Sequence, residues 1–255
     1  MSQATLHSDA PPRLAESLAV VRFRGDPDRL ASLLLPPPLD PVDDGGTAFA
    51  TVADAVPVDD HPGPIDSTGV RRATVGMPCR YGGERYAVTP VVVVDRPTRQ
   101  FRDGFVRGVG TVTKTKWHAS CAGRRDIRAG DTVAGDALHG GDELFSYAME
   151  LGEEVTADAL EWWPRSLVGY RRVSDPLAGA DGGSLANDLA VIDRESPTVG
   201  TVRRGTASLS FGGWRDGLLA DLADAVTGGF HVTMAYDDAG ERPLAPAGDW
   251  GEHLE

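Results

Sequence analysis

The sequence predicts one α+β domain built mainly of antiparallel strands. Three observations predict it. Many short runs rich in β-formers are separated by Gly, Asp and Pro, few segments carry a helical apolar face, and no stretch is rich enough in Pro, Gly or Ser to act as a linker between domains. A chain of 255 residues is long enough to bury a substantial core as one unit. The expected boundaries are a loose tail over 1–13, the domain over 14–238 and an acidic tail over 239–255.

The first strand is expected over Leu18–Phe23, where Val21 and Phe23 alternate with Arg22 and Arg24. Asp26-Pro27-Asp28 then opens a helix, since Asp is a good N-cap and Pro suits the first turn. Leu30, Leu33 and Leu34 give that helix its apolar face, and Pro36-Pro37-Pro38 ends it. Thr47–Val52 reads as a strand and 57–69 as a long loop. Val70–Tyr81 and Tyr86–Asp95 read as two strands of a hairpin turning at Gly82-Gly83-Glu84. The run Val91–Val94 is apolar on both faces, so that strand is expected to be central and buried.

Phe101 and Phe105 suit a short helix within Pro97–Arg107. Gly108 and Gly110 follow it; without a third glycine and a helix they read as a turn, not a phosphate loop. Asp131–Ala137 and Val155–Trp163 are candidate strands. Leu144–Leu151 fits a strand or a helix face equally. A loop is expected over 174–184 and strands over Leu189–Asp193 and Thr206–Phe211. Trp214–Val226 reads as the clearest helix, with Leu218, Leu219, Leu222 and Val226 on one side and Gly228-Gly229 at its end. Phe230–Tyr236 closes the sheet.

Charge and composition narrow the function. The net charge of −13 is spread along the chain and argues against nucleic-acid binding, which depends on neutralising phosphates. Residues 2–13 lack the apolar core of a secretory signal, and no apolar run of 18 residues exists, so a cytoplasmic protein without a membrane partner is expected. Cys79 and Cys121 are too few for a structural zinc site and read as buried thiols rather than a pair. The six histidines show no metal-ligand spacing. No metal and no cofactor are expected.

Basic charge is distributed unevenly by type. Of 25 basic residues, 23 are arginine, and the two lysines, Lys114 and Lys116, stand one residue apart in Thr111-Val112-Thr113-Lys114-Thr115-Lys116-Trp117-His118. Arginine stays protonated, whereas a desolvated lysine can release its proton and attack a carbonyl. The alternation is that of a strand, which places the two amines on one face roughly 6.5–7 Å apart. Two such amines disfavour each other's charge, and burial adds to the effect, so at least one pKa should fall. The same pair on the solvent side of an edge strand would only discourage edge-to-edge pairing. His118, on the face of Lys116, is a candidate for proton transfer, and so is Glu84, which a hairpin turn would otherwise leave solvated. Arg71, Arg72, Arg80 and Arg107 are candidate carboxylate clamps or ordinary surface arginines.

In order and spacing, several segments resemble the acetoacetate decarboxylase-like family. Arg22-Phe23-Arg24-Gly25-Asp26 followed by Leu34-Leu35-Pro36-Pro37-Pro38-Leu39 is similar to its strand, helix and "P-x-P-L" exit. Cys79 to Tyr86 followed by Val91–Asp95 resembles its "Y-x-G-x-x-Y…Y-x-D" hairpin. Phe101–Gly108, Gly130–Gly135, Arg204–Phe211 and Gly228-Gly229-Phe230 resemble later units. The resemblance implies a cone-like antiparallel β-sheet (an open barrel) with a few flanking helices, a central pocket and homo-oligomerisation. It also implies a Schiff-base lysine, which in the family follows a glycine in a "G-x-P-K-K" turn. Here Gly110, Thr111 and Val112 occupy that place, and Lys114 and Lys116 come slightly later. The family's two glutamates fall at Ala50 and near Arg71-Arg72, and its substrate-holding arginine at about Glu16.

The expected function is therefore a lysine enzyme acting on a small oxo acid, decarboxylating a β-keto acid through an imine. Lys114, Lys116 and His118 are the catalytic candidates, and Arg71, Arg80, Arg107 and Glu84 the substrate-binding ones. The alternatives are an imine-based aldolase or dehydratase of a 2-oxo acid, and a non-catalytic small-molecule binder on the same scaffold.

Overall fold

The computed structural model describes residues 13–57, 69–96, 108–113, 127–164, 166–174 and 184–246. The expected loop over 57–69 (but for its end residues), the helix within Pro97–Arg107, the stretch 114–118, Cys121, most of the loop over 174–184 and the outermost residues 1–12 and 247–255 lie outside them. The twelve strands are β1 (Arg13–Arg24), β2 (Asp40–Pro41), β3 (Thr47–Pro57), β4 (Val70–Tyr81), β5 (Glu84–Val94), β6 (Gly108–Val109), β7 (Thr111–Val112), β8 (Thr132–His139), β9 (Asp142–Val155), β10 (Leu167–Ser174), β11 (Ser184–Phe211) and β12 (Ala225–Pro246). They form one mixed, mainly antiparallel sheet in the order β10-β5-β4-β3-β1-β12-β11-β9-β8-β7. Among the described residues, only β10–β5 and β5–β6 pair in parallel. Because β10 pairs with β11 as well as β5, the sheet curls back on itself, while β9, β8 and β7 lead away from that turn.

Curling gives the sheet an inner and an outer face, and β1 shows how the sequence supplies both. Ala19, Val21 and Phe23 enter the main core cluster with Val52, Ala73, Val75, Val91 and Val93, while Leu18 and Val20 enter a second cluster on the other side. Two-residue periodicity makes that division automatic. Val91–Val94 is buried throughout, with β4 along one side and β6 beside Val93 and Val94 on the other, as its doubly apolar pattern requires. Cys79 is a buried free thiol on the inner face, and burial pushes its pKa up to about 12.

Helix α1 (Pro27–Leu34) begins as the sequence dictates. The Asp26 carboxylate accepts from the Arg29 N–H at 2.9 Å, and Leu30 and Leu34 are buried. The hairpin turns at Gly82 and Gly83, both with positive φ and open space around them, which is why glycine serves there.

Three expectations change. Trp214–Val226 is not a long helix: only a short helical turn, α2 (Trp214–Gly217), forms, and Arg215, Asp216 and Gly217 carry left-handed φ of 50°, 56° and 79°. The buried side chains of Trp214, Leu219 and Leu222 still satisfy the apolar spacing. The backbone is committed to tertiary partners instead: Asp224 N–H donates to the Arg24 carbonyl at 2.8 Å, and a Cβ on Gly25 would lie 2.2 Å from the Leu222 carbonyl oxygen. Val155–Trp163 is a strand end followed by a 3-10 turn over Ala157–Leu160, which lays Leu160, Trp162 and Trp163 on the outer face against Phe49 and Phe230. Finally, β12 continues to Pro246, so 240–246 pairs with β11 rather than trailing free, and the two late strands belong to one bent strand, β11.

Candidate functional site

The inner face is apolar along most of its length, and the register shows where it stops being so. Ala19, Val52, Ala73 and Val93 sit side by side across β1, β3, β4 and β5. One step toward the N-terminal end of β1, the neighbours are Thr233, Ser17, Asp54 and Arg71 across β12, β1, β3 and β4. At about 4.8 Å per strand this polar rung is on the order of 15 Å long. Asp95 extends it: its N–H donates to the Arg71 carbonyl at 3.1 Å, and its side chain accepts from the Arg71 N–H at 3.0 Å. Asp54 and Ser17 are buried at 6% and 1% exposure. His231, opposite Ala19 and 1% exposed, places Nε2 3.1 Å from the Ser17 hydroxyl. Buried polar groups of this kind are retained only where they find partners.

The chain that precedes the two lysines runs beside this rung. Gly110 N–H donates to the Val94 carbonyl at 2.8 Å, and a Cβ on Gly110 would lie 2.8 Å from Val93 Cγ1 on the inner face. Only glycine allows so close an approach. Two residues on, Val112 belongs to the main core at 2% exposure, whereas Thr111 and Thr113 are exposed. Thr113 N–H donates to the Asp136 carbonyl at 2.8 Å, and the Thr113 hydroxyl bonds the Asp136 carboxylate.

Of the residues singled out from sequence, Lys114, Lys116, His118 and Arg107 lie outside the described residues. Arg71 stands half-buried on the polar rung. Arg80 and Glu84 stand exposed at the hairpin, where the Glu84 carboxylate accepts from the Tyr86 hydroxyl at 2.5 Å. Nine residues along β4 separate Arg71 from Arg80, roughly 30 Å on an extended strand, so the structure does not bring these two candidates together.

Glu16 faces outward: its buried carboxylate lies 2.7 Å from Arg72 Nη2 and 3.1 Å from Arg194 Nη2, and the Arg194 guanidinium stacks on Tyr236. The place where the resemblance puts a substrate-holding arginine thus carries an ion-paired acid on the face away from the rung. Asp54, Ser17, Asp95 and His231 escaped the sequence analysis. The signal existed in the inward parity Ala48-Ala50-Val52-Asp54-Val56, an acid in an apolar file, but the strand was expected to end at Val52. Ser17 likewise lies one residue before the expected start of the first strand. Among the described residues, no group of three or more His, Cys, Asp or Glu could hold a metal ion, and no helix is long and apolar enough to cross a membrane.

A curled, mainly antiparallel sheet with one rung of polar side chains on an otherwise apolar inner face is the architecture in which the candidate residues stand. The chain belongs to the acetoacetate decarboxylase (ADC) family, whose model matches residues 2–242. It is similar in fold to an acetoacetate decarboxylase-like enzyme from Sphingomonas wittichii RW1, with TM-score 0.76 and 22% identity over 96% of this chain and 97% of that one. The enduracididine biosynthesis enzyme MppR complexed with pyruvate gives TM-score 0.71 and 19% identity over 95% and 93%. Acetoacetate decarboxylase from Legionella pneumophila subsp. pneumophila str. Philadelphia 1 gives 0.68 and 16% over 92% and 88%. No curated protein matches the sequence significantly.

Proposed function

We propose that this chain is a lysine enzyme that forms a Schiff base with a small oxo acid and decarboxylates a β-keto acid. The observation that carries the reading is the placement of the strand that leads to the lysines. Gly110 and Val112 face inward beside the polar rung, and the same parity continues in the sequence to 114 and 116. An amine entering that apolar surface loses hydration, and its neighbour disfavours a second positive charge, so one amine is left neutral and nucleophilic. The neutral amine adds to the ketone, and the carbinolamine loses water. The protonated imine then takes up the electron pair of the breaking carbon–carboxyl bond as CO2 departs. Protonation of the enamine carbon and hydrolysis return the ketone product and the free amine. Arg71 is the substrate-binding arginine in this scheme, and Asp54 and the His231–Ser17 pair are the rung's groups for moving protons.

A second reading has a specific observation behind it. A carboxylate that must leave as CO2 gains little from a guanidinium, whereas one that stays is held by it, and Arg71 stands on the rung. Imine-based aldol or dehydratase chemistry on a 2-oxo acid uses the same amine and keeps the carboxylate, and MppR, similar in fold, is known complexed with pyruvate.

Borohydride reduction with acetoacetate or pyruvate present tests both. A mass adduct on Lys114 or Lys116 is expected, and CO2 release from acetoacetate selects the decarboxylase. Lys114→Arg and Lys116→Arg should show at least one inactive variant. Full activity in both would defeat the lysine mechanism, and the absence of adduct and of CO2 would leave a binding protein.

A further inference from the structure

The inner face holds one polar atom that the rung does not account for. Tyr147, on β9, belongs to the main core and is 5% exposed, yet among the described residues its hydroxyl has no hydrogen-bond partner. Other buried hydroxyls are matched: Ser17 meets His231, and Tyr86 donates to Glu84. Burying an unmatched hydroxyl is unfavourable, and phenylalanine would fill the same space without that cost. A tyrosine in this position is explained by a state of the protein in which the hydroxyl has a partner.

Its surroundings say which state. Tyr147 pairs across the sheet with Gly135 on β8. A Cβ on Gly135 would lie 3.0 Å from Tyr147 Cε1 and 2.1 Å from the Thr113 carbonyl oxygen, so the tyrosine ring and the Thr113 backbone share the space that glycine leaves open. Thr113 immediately precedes Lys114 in the sequence. The Tyr147 ring therefore stands beside the backbone of Thr113, the last described residue before the two lysines.

We propose that the Tyr147 hydroxyl donates a hydrogen bond to the oxygen on the substrate carbon that the amine attacks. This rests on the oxo-acid reading above and adds to it the group that receives the developing negative charge. That oxygen gains charge as the amine adds, and a fixed donor in a dry wall stabilises it more in the transition state than in the ketone. Burial first, and the Asp136 carboxylate second, push the Tyr147 pKa upward, so the phenol keeps its proton and acts as a donor throughout the working range.

Tyr147→Phe removes one oxygen and nothing else. Because no protein group loses a partner, its urea midpoint is expected to equal or exceed that of the wild type. With acetoacetate and pyruvate, the rate of borohydride trapping is expected to fall about 10²–10³-fold, the loss typical of one oxyanion donor. Trapping within about twofold of the wild type would overturn the proposal and leave the lysine reading intact. Should the wild type itself give no adduct, the lysine reading fails, and calorimetric titration with 3-hydroxybutyrate and lactate decides the donor separately. These acids carry the oxygen but form no imine. At least tenfold weaker binding by Tyr147→Phe would uphold the donor, and equal or absent binding would overturn it.

Discussion

Glu16 shows how one residue can be costly to isolate although its ion pairs add little net stability. Its carboxylate is fully buried between Arg72, 16% exposed, and Arg194, 6% exposed. Desolvating such ions offsets most of their attraction, but removing one partner leaves a charge stranded. Arg194→Ala is therefore expected to lower stability by about 3 kcal/mol, toward the lower end for a broken buried pair because Arg72 remains. Urea denaturation measures it. Removing all three charges together, as Glu16→Gln with Arg72→Met and Arg194→Met, should cost much less than the single change. If the triple variant is less stable than the single one, the burden lies in packing and not in charge. The same residue explains a limit of the sequence. Glu16, Ser17 and Asp54 differ in function only through the face they occupy, and a single strand does not announce which face will be enclosed.

At the scale of elements, glycines decide how closely β6, β7 and β8 approach. Gly135 admits the Thr113 carbonyl where any side chain would collide, since a Cβ there would meet that oxygen at 2.1 Å. Gly135→Ala should push Thr113 away, break its N–H bond to the Asp136 carbonyl, and cost about 1–3 kcal/mol through overpacking. Faster amide exchange at Thr113, without a matching change in β1 or β3, is the expected signature. Gly213→Ala, with nothing within 4 Å of the added atom, is the control and should stay within about 0.5 kcal/mol. Elements whose signals are local were legible in the sequence: the Asp26 cap of α1, the Gly82-Gly83 hairpin and the buried valine run of β5. Those set by tertiary partners were not. Leu218, Leu219 and Leu222 have helical spacing, but their segment is held by Arg24 and Gly25 from a distant stretch of the chain. The polar rung was hidden for a related reason: its members come from four strands far apart in sequence, and only the register aligns them.

For the molecule as a whole, the balance between surface repulsion and buried attraction fixes how stability responds to salt. The net charge is −13, and acidic residues are spread over the chain. Repulsion among exposed charges acts through water over a Debye length that shrinks from about 30 Å at 0.01 M salt to about 3 Å at 1 M, so added salt removes most of it. Exposed attractive pairs such as Arg24–Asp44 and Arg13–Asp237 are screened along with the repulsion, but the buried pairs of Glu16 with Arg72 and Arg194 are screened only weakly. Arg171–Asp188, about a fifth exposed on each side, stands between these limits. Salt should therefore weaken the destabilising interactions far more than the stabilising ones, and the thermal midpoint should rise between 0.01 M and 1 M sodium chloride, each an approximate setting taken from the screening lengths. Potassium chloride should act alike, because screening depends on ionic strength and not on the ion. A midpoint that falls with salt would mean that surface attraction outweighs self-repulsion despite the net charge. A rise with one cation only would point to specific ion binding instead of screening.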